Sequence, residues 1–107
     1  MTTLEIKHRV LSTVDSMQIQ LPIYWSHGKH AKSYCVMTSA FTAIDIRVGS
    51  VYLQIDSTQY DDAEDATYSL ERSMMDETFE RVEEAVFMHH FSIATRQLYD
   101  LANPKTK

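Results

Sequence analysis

Hydrophobic positions follow two different periods along the chain, and the change comes near residue 60. Over residues 17–25, Met17, Ile19, Leu21, Ile23 and Trp25 alternate with Gln18, Gln20, Pro22 and Tyr24. That is the period of a strand buried on one face. Pro22 has no N–H to give to a ladder, which predicts an edge position for this strand or a turn of that side away from any partner. Residues 26–32 are polar and read as a loop in which Gly28 is free to take positive φ.

Residues 33–38, 41–48 and 51–56 are rich in β-branched and aromatic side chains and are predicted as three further strands. Ile44, Ile46 and Val48 alternate with Asp45 and Arg47, and Val51, Leu53 and Ile55 with Tyr52 and Gln54. With Gly49-Ser50 as a tight turn between them, the last two strands should form an antiparallel hairpin. Residues 4–14 fit both periods in part. Ile6, Val10 and Val14 recur at helical spacing, and Thr2 with Glu5 three residues later resembles a capping box, which tips the expectation to helix.

Beyond Tyr60 the period is helical. Asp61 with Glu64 gives a helix-start signal, and Ala63, Ala66, Leu70 and Met74 form a narrow apolar stripe. Acidic residues in that first turn complement the helix dipole. Asp76 is placed to cap a second helix carrying Phe79, Val82, Val86, Phe87, Phe91, Ile93, Ala94, Leu98 and Leu101, with Asn103-Pro104 as its stop. The expected architecture is a two-layer α+β domain: an antiparallel sheet of three to four strands over about 17–56, covered by C-terminal helices over about 61–102. Residues 1–107 make one domain, and one more apolar face leaves room for a homodimer.

Composition narrows the class. A 44% hydrophobic and 23% charged chain is globular rather than disordered. Cys35 is the single cysteine, so no internal disulfide can form. The first residues lack a basic start followed by an apolar run, and no stretch reaches the roughly 20 apolar residues of a membrane span. A cytoplasmic protein without membrane attachment is expected.

The net charge of -5 is concentrated: eleven acidic side chains between 56 and 84 face only Arg72 and Arg81, a local balance of -9. Direct nucleic-acid binding is disfavoured, because it depends on clustered Lys and Arg. The leading expectation is a non-enzymatic interaction or regulatory domain that meets a basic partner protein. Its contact residues would be Tyr24, Asp61, Asp62, Glu64, Asp65, Glu71, Asp76, Glu77, Glu80 and Glu84. A sharper form is an inhibitor that imitates the phosphate rows of DNA in a nucleic-acid-binding enzyme. No cofactor or catalytic residue is assigned. Gly28 and Gly49 are the only glycines, so no phosphate-cradling loop can be built, and Gly-x-Ser-x-Gly and His-Glu-x-x-His are absent.

The third alternative is a small metal protein or enzyme using His27, His30 and Cys35, since imidazole and thiolate suit zinc. Against it, Cys35 lies in an alternating strand, where a small buried thiol is the commoner outcome. His89 and His90 point about 100° apart on a helix and do not chelate one ion. His90 falls on the apolar arc and is expected to be partly buried.

Overall fold

A computed structural model describes residues 3–7, 16–29, 31–39, 42–48 and 53–103. Among these the chain runs β1 (Thr3–Lys7), β2 (Ser16–Gln20), β3 (Ile23–His27), β4 (Ser33–Ser39), β5 (Thr42–Val48), β6 (Leu53–Gln59), α1 (Ala63–Met74), β7 (Glu80–Arg81) and α2 (Glu84–Ala102). The fold is α+β. It has a five-stranded antiparallel sheet in the order β6-β5-β4-β3-β7 and a separate two-stranded sheet, β1-β2.

The expected first strand is real but divided. The alternation of Ile19, Leu21, Ile23 and Trp25 persists in burial across both halves, yet the chain leaves the small sheet at Leu21–Pro22 and enters the large one at Ile23. Pro22, unable to donate, sits in the gap between the two. The N-terminal segment is a strand where a helix was expected. Leu4 is buried between exposed Thr3 and Glu5 and lies opposite Ile19, so packing against β2 overrides the weak helix signal. The rest of the predicted helix, residues 8–14, lies outside the described residues.

The hairpin of β5 and β6 forms in the expected sense, with Val48 opposite Leu53 and the ladder running on to Thr42 opposite Gln59. Gly49 and Ser50 are outside the described residues. Helix α1 begins one residue later than Asp61 suggested. Asp62 is the N-cap, its Oδ1 accepting from the N–H of Asp65 at 2.8 Å.

Two further expectations are corrected. The second helix starts at Glu84, not at Asp76, because Asp76 folds back into its own turn: its Oδ1 accepts from the Thr78 N–H and hydroxyl at 2.8 and 2.6 Å. Residues 80–81 instead form β7, pairing with β3 through Trp25 opposite Arg81 and Ser26 opposite Glu80. The sheet is also covered on both faces. Trp25, Cys35 and Met37 pack with Ala66 and Leu70 of α1, with Leu4 and Ile19 of the small sheet, and with Leu21 just beyond it. Val36 and Ile46, of opposite parity, pack with Phe87 and Ala94 of α2. The arrangement is three layers, and β7 marks where the chain rounds the β3 edge from one face to the other. Phe79, before the crossing, stacks on Trp25 at 6.1 Å. Phe87, after it, packs on Tyr24 at 5.6 Å. No described helix is long and apolar enough to cross a membrane.

Candidate metal centre

Strand parity and register build the centre. Cys35 on β4 lies directly opposite Trp25 of β3 and directly opposite Asp45 of β5. His27 follows Trp25 by two residues, so it shares that face and reaches Cys35 on the diagonal, within range of a long side chain. The Cys35 thiol donates to Asp45 Oδ1 at 3.3 Å. One donor atom from each of His27, Cys35 and Asp45 lies within 4.8 Å of the others. Around a single zinc ion, bonds of about 2.0–2.3 Å in a tetrahedron place donors about 3.3–3.6 Å apart. The Cys35–Asp45 pair already meets that spacing, and closing the set shortens the separations to His27 by at most about 1.5 Å.

Cys35 is buried, whereas His27 and Asp45 are half-buried. Burial, then the charge of Asp45, then the hydrogen bond to Asp45 push the Cys35 thiol above its ordinary range, and the nearby Arg47 only partly offsets them. The thiol is therefore neutral near pH 7. A cation placed among these donors would displace its proton, as metal binding to cysteine requires.

The cluster opens on a cavity of about 160 Å³ whose wall includes Trp25, His27, Cys35, Asp45, Tyr60 and Ser69. A second hollow of about 360 Å³ shares His27, Ser69 and Ser73 and adds Arg72 and Asp76. On the wall, the Tyr60 and Ser69 hydroxyls hydrogen-bond each other at 2.9 Å. Trp25 is 4% exposed, and its indole Nε1 has no hydrogen-bond partner among the described residues.

The end of β3 is held from outside the sheet. The Gly28 N–H donates to Thr78 Oγ1 at 2.8 Å, and that hydroxyl donates in turn to Asp76 Oδ1. Gly28 has φ of 116°, and a Cβ there would run into the carbonyl oxygen of Ala31. Hydrogen bonds from the Thr78 side chain and backbone hold the Asp76 carboxyl below its usual range, and the charge of His27 acts the same way.

Of the residues singled out from sequence, the structure brings His27 and Cys35 together, and His30 lies outside the described residues. Asp45 was missed. Its alternation with Ile44 and Ile46 marks only a change of face, and the pairing that sets it opposite Cys35 is not visible in the sequence. Tyr24 is half-buried, with its ring on Phe87. Burial, then the charge and hydrogen bond of Glu84, raise its pKa. Asp61, Asp62, Glu64, Asp65, Asp76, Glu77, Glu80 and Glu84 are exposed and Glu71 is half-buried. They are spread over α1, the turn after it, β7 and the start of α2. His90 is half-buried and stacks on Tyr34 at 3.8 Å. Compared with known proteins, the chain matches no family model, no curated protein and no solved structure.

Proposed function

We propose that the protein binds a transition-metal ion, zinc(II) by preference, through His27, Cys35 and Asp45, and acts through that ion rather than through a free thiol. The observation that carries this reading is the convergence of one nitrogen, one sulfur and one oxygen donor from three adjacent strands within 4.8 Å of one another. A mixed N/S/O set suits zinc and its neighbours and not magnesium or calcium, which prefer all-oxygen shells. Three protein ligands leave a fourth position, the layout in which zinc exchanges a ligand. A free-thiol nucleophile is disfavoured, since Cys35 is buried beside a carboxylate and its thiol is pushed up rather than down.

The test is elemental analysis of the chain produced without a histidine tag. It should retain close to one equivalent of zinc, and Cys35→Ser or Asp45→Asn should lose it. Less than about a tenth of an equivalent after incubation with zinc at neutral pH, where the ligands can shed their protons, removes the reading.

A second reading, docking to a basic partner protein, is favoured by the exposure of Asp61, Asp62, Glu64 and Asp65 together at the start of α1. It predicts a partner whose capture weakens with salt and with neutralisation of those four residues. A partner held equally at high salt, or by the neutralised variant, excludes it. An inhibitor of the DNA-imitating kind would in addition be displaced by DNA.

A further inference from the structure

Residues that line the cavity beside the three ligands carry hydrogen-bond donors that no described residue accepts. Trp25 is the clearest case: an indole N–H can only donate, this one is buried, and no described residue accepts from it. Native interiors rarely leave such a group without an acceptor. The Tyr60–Ser69 pair adds a second donor, because two hydroxyls sharing one hydrogen bond leave one hydroxyl hydrogen for another acceptor. We propose that the fourth position of the metal centre takes a small monoanionic oxyanion, of the size of acetate or bicarbonate, with one oxygen on the metal and its acceptors directed to Trp25 Nε1–H and the Tyr60–Ser69 hydroxyls. This rests on the metal-binding reading and deepens it by naming the exchangeable ligand.

Charge and volume set the class. A divalent ion with the Cys35 thiolate, the Asp45 carboxylate and neutral His27 is uncharged overall. One added negative charge is then balanced by Arg47, which acts electrostatically on Cys35 and donates to Ser33 Oγ at 3.0 Å. A dianion would leave a charge uncompensated in a partly buried site. The cavity of about 160 Å³ has room for a carboxylate of a few heavy atoms.

Cobalt(II) separates the two levels of the proposal. Cobalt added to the full chain should give a thiolate-to-metal charge-transfer band that Cys35→Ser abolishes, and absence of that band overturns the metal centre itself. With the band present, acetate and bicarbonate are titrated in turn against the visible cobalt bands. The expected result is a saturable change for each anion. Trp25→Phe should weaken acetate about tenfold, the worth of one hydrogen bond to a charged group, while leaving cobalt affinity within about twofold. Ser69→Ala supplies a second, less buried probe and should weaken acetate in the same direction. A cobalt centre whose spectrum neither anion changes means that water alone fills the position, and the proposal fails. It fails equally if both variants bind acetate as tightly as the parent chain.

Discussion

Replacing Gly28 by alanine tests the geometry that delivers His27 to the centre. At φ of 116° an L-residue is strained, and the new Cβ would collide with the Ala31 carbonyl oxygen, a backbone atom that cannot swing aside. Strain of this kind costs about 1–3 kcal/mol, and the collision places Gly28→Ala at about 2 kcal/mol or above. For a domain of this size that lowers Tm by roughly 8–16 °C, taking about 4–8 °C per kcal/mol. The same change disturbs the Gly28 N–H bond to Thr78 one residue from His27, so zinc affinity should fall together with stability. Thr78→Ala provides the comparison. It removes the acceptor of Gly28 and a donor to Asp76 without placing a Cβ at position 28, and should cost about 1–2 kcal/mol. The assay is thermal denaturation of the metal-free chain by circular dichroism, followed by zinc titration monitored on Trp25 emission. A Gly28→Ala chain melting within about 2 °C of the parent would refute the assigned backbone geometry and the account of how His27 is held.

His90 gives a pH prediction. Burial, then the charge of His89, lower its pKa from the usual 6.5, so the folded state resists its protonation more than the unfolded state does. Its contribution is intact above the unfolded pKa and is lost as pH falls from there through the lower folded value. Urea midpoints should drop as pH falls below about 7.5, and His90→Phe, which keeps a ring on Tyr34, should flatten that part of the slope; an unchanged slope would assign it to other groups. The third prediction concerns α2. Phe87→Ala should cost about 3–5 kcal/mol by emptying the core between α2 and the sheet, whereas Leu98→Ala, at a half-exposed position, should stay within about 0.5 kcal/mol. Equal costs in denaturant titrations would contradict the described seating of the helix.

Most of the large sheet was legible because β3 to β6 are neighbours in sequence and each carries its own alternation. Residues 33–38 and 41–48 fall within a residue of β4 and β5, and the partnership of β5 with β6 followed from pattern alone. The departures share a physical cause: the outcome was decided by partners remote in sequence. Leu4 becomes a strand residue because Ile19 lies opposite it, and Glu80 and Arg81 because the β3 edge is free to accept them. Asp45 was lost for the same reason. Alternation tells two faces apart but does not say that both are covered, by α1 on one and α2 on the other. His27 and Cys35 could be named from residue type, but their third ligand became visible only through the ladder register.

Strand order also bears on the route by which the chain folds. Along β6-β5-β4-β3 every pairing joins consecutive strands, so this meander closes short loops with little entropic penalty. Only β7 is out of sequence: Trp25 meets Arg81 with about half the chain between them. Its docking, together with the Gly28–Thr78 bond, belongs after the main barrier, so substitutions there should speed unfolding and leave the folding rate nearly unchanged. Cys35 and Asp45 lie within the meander, and so does His27, opposite Ser33 on β4, so all three adopt their register before β7 docks. The metal centre would thus be assembled before the β7 edge closes, and a bound ion would act chiefly as a clasp across β3, β4 and β5, slowing the opening of the meander rather than of that edge.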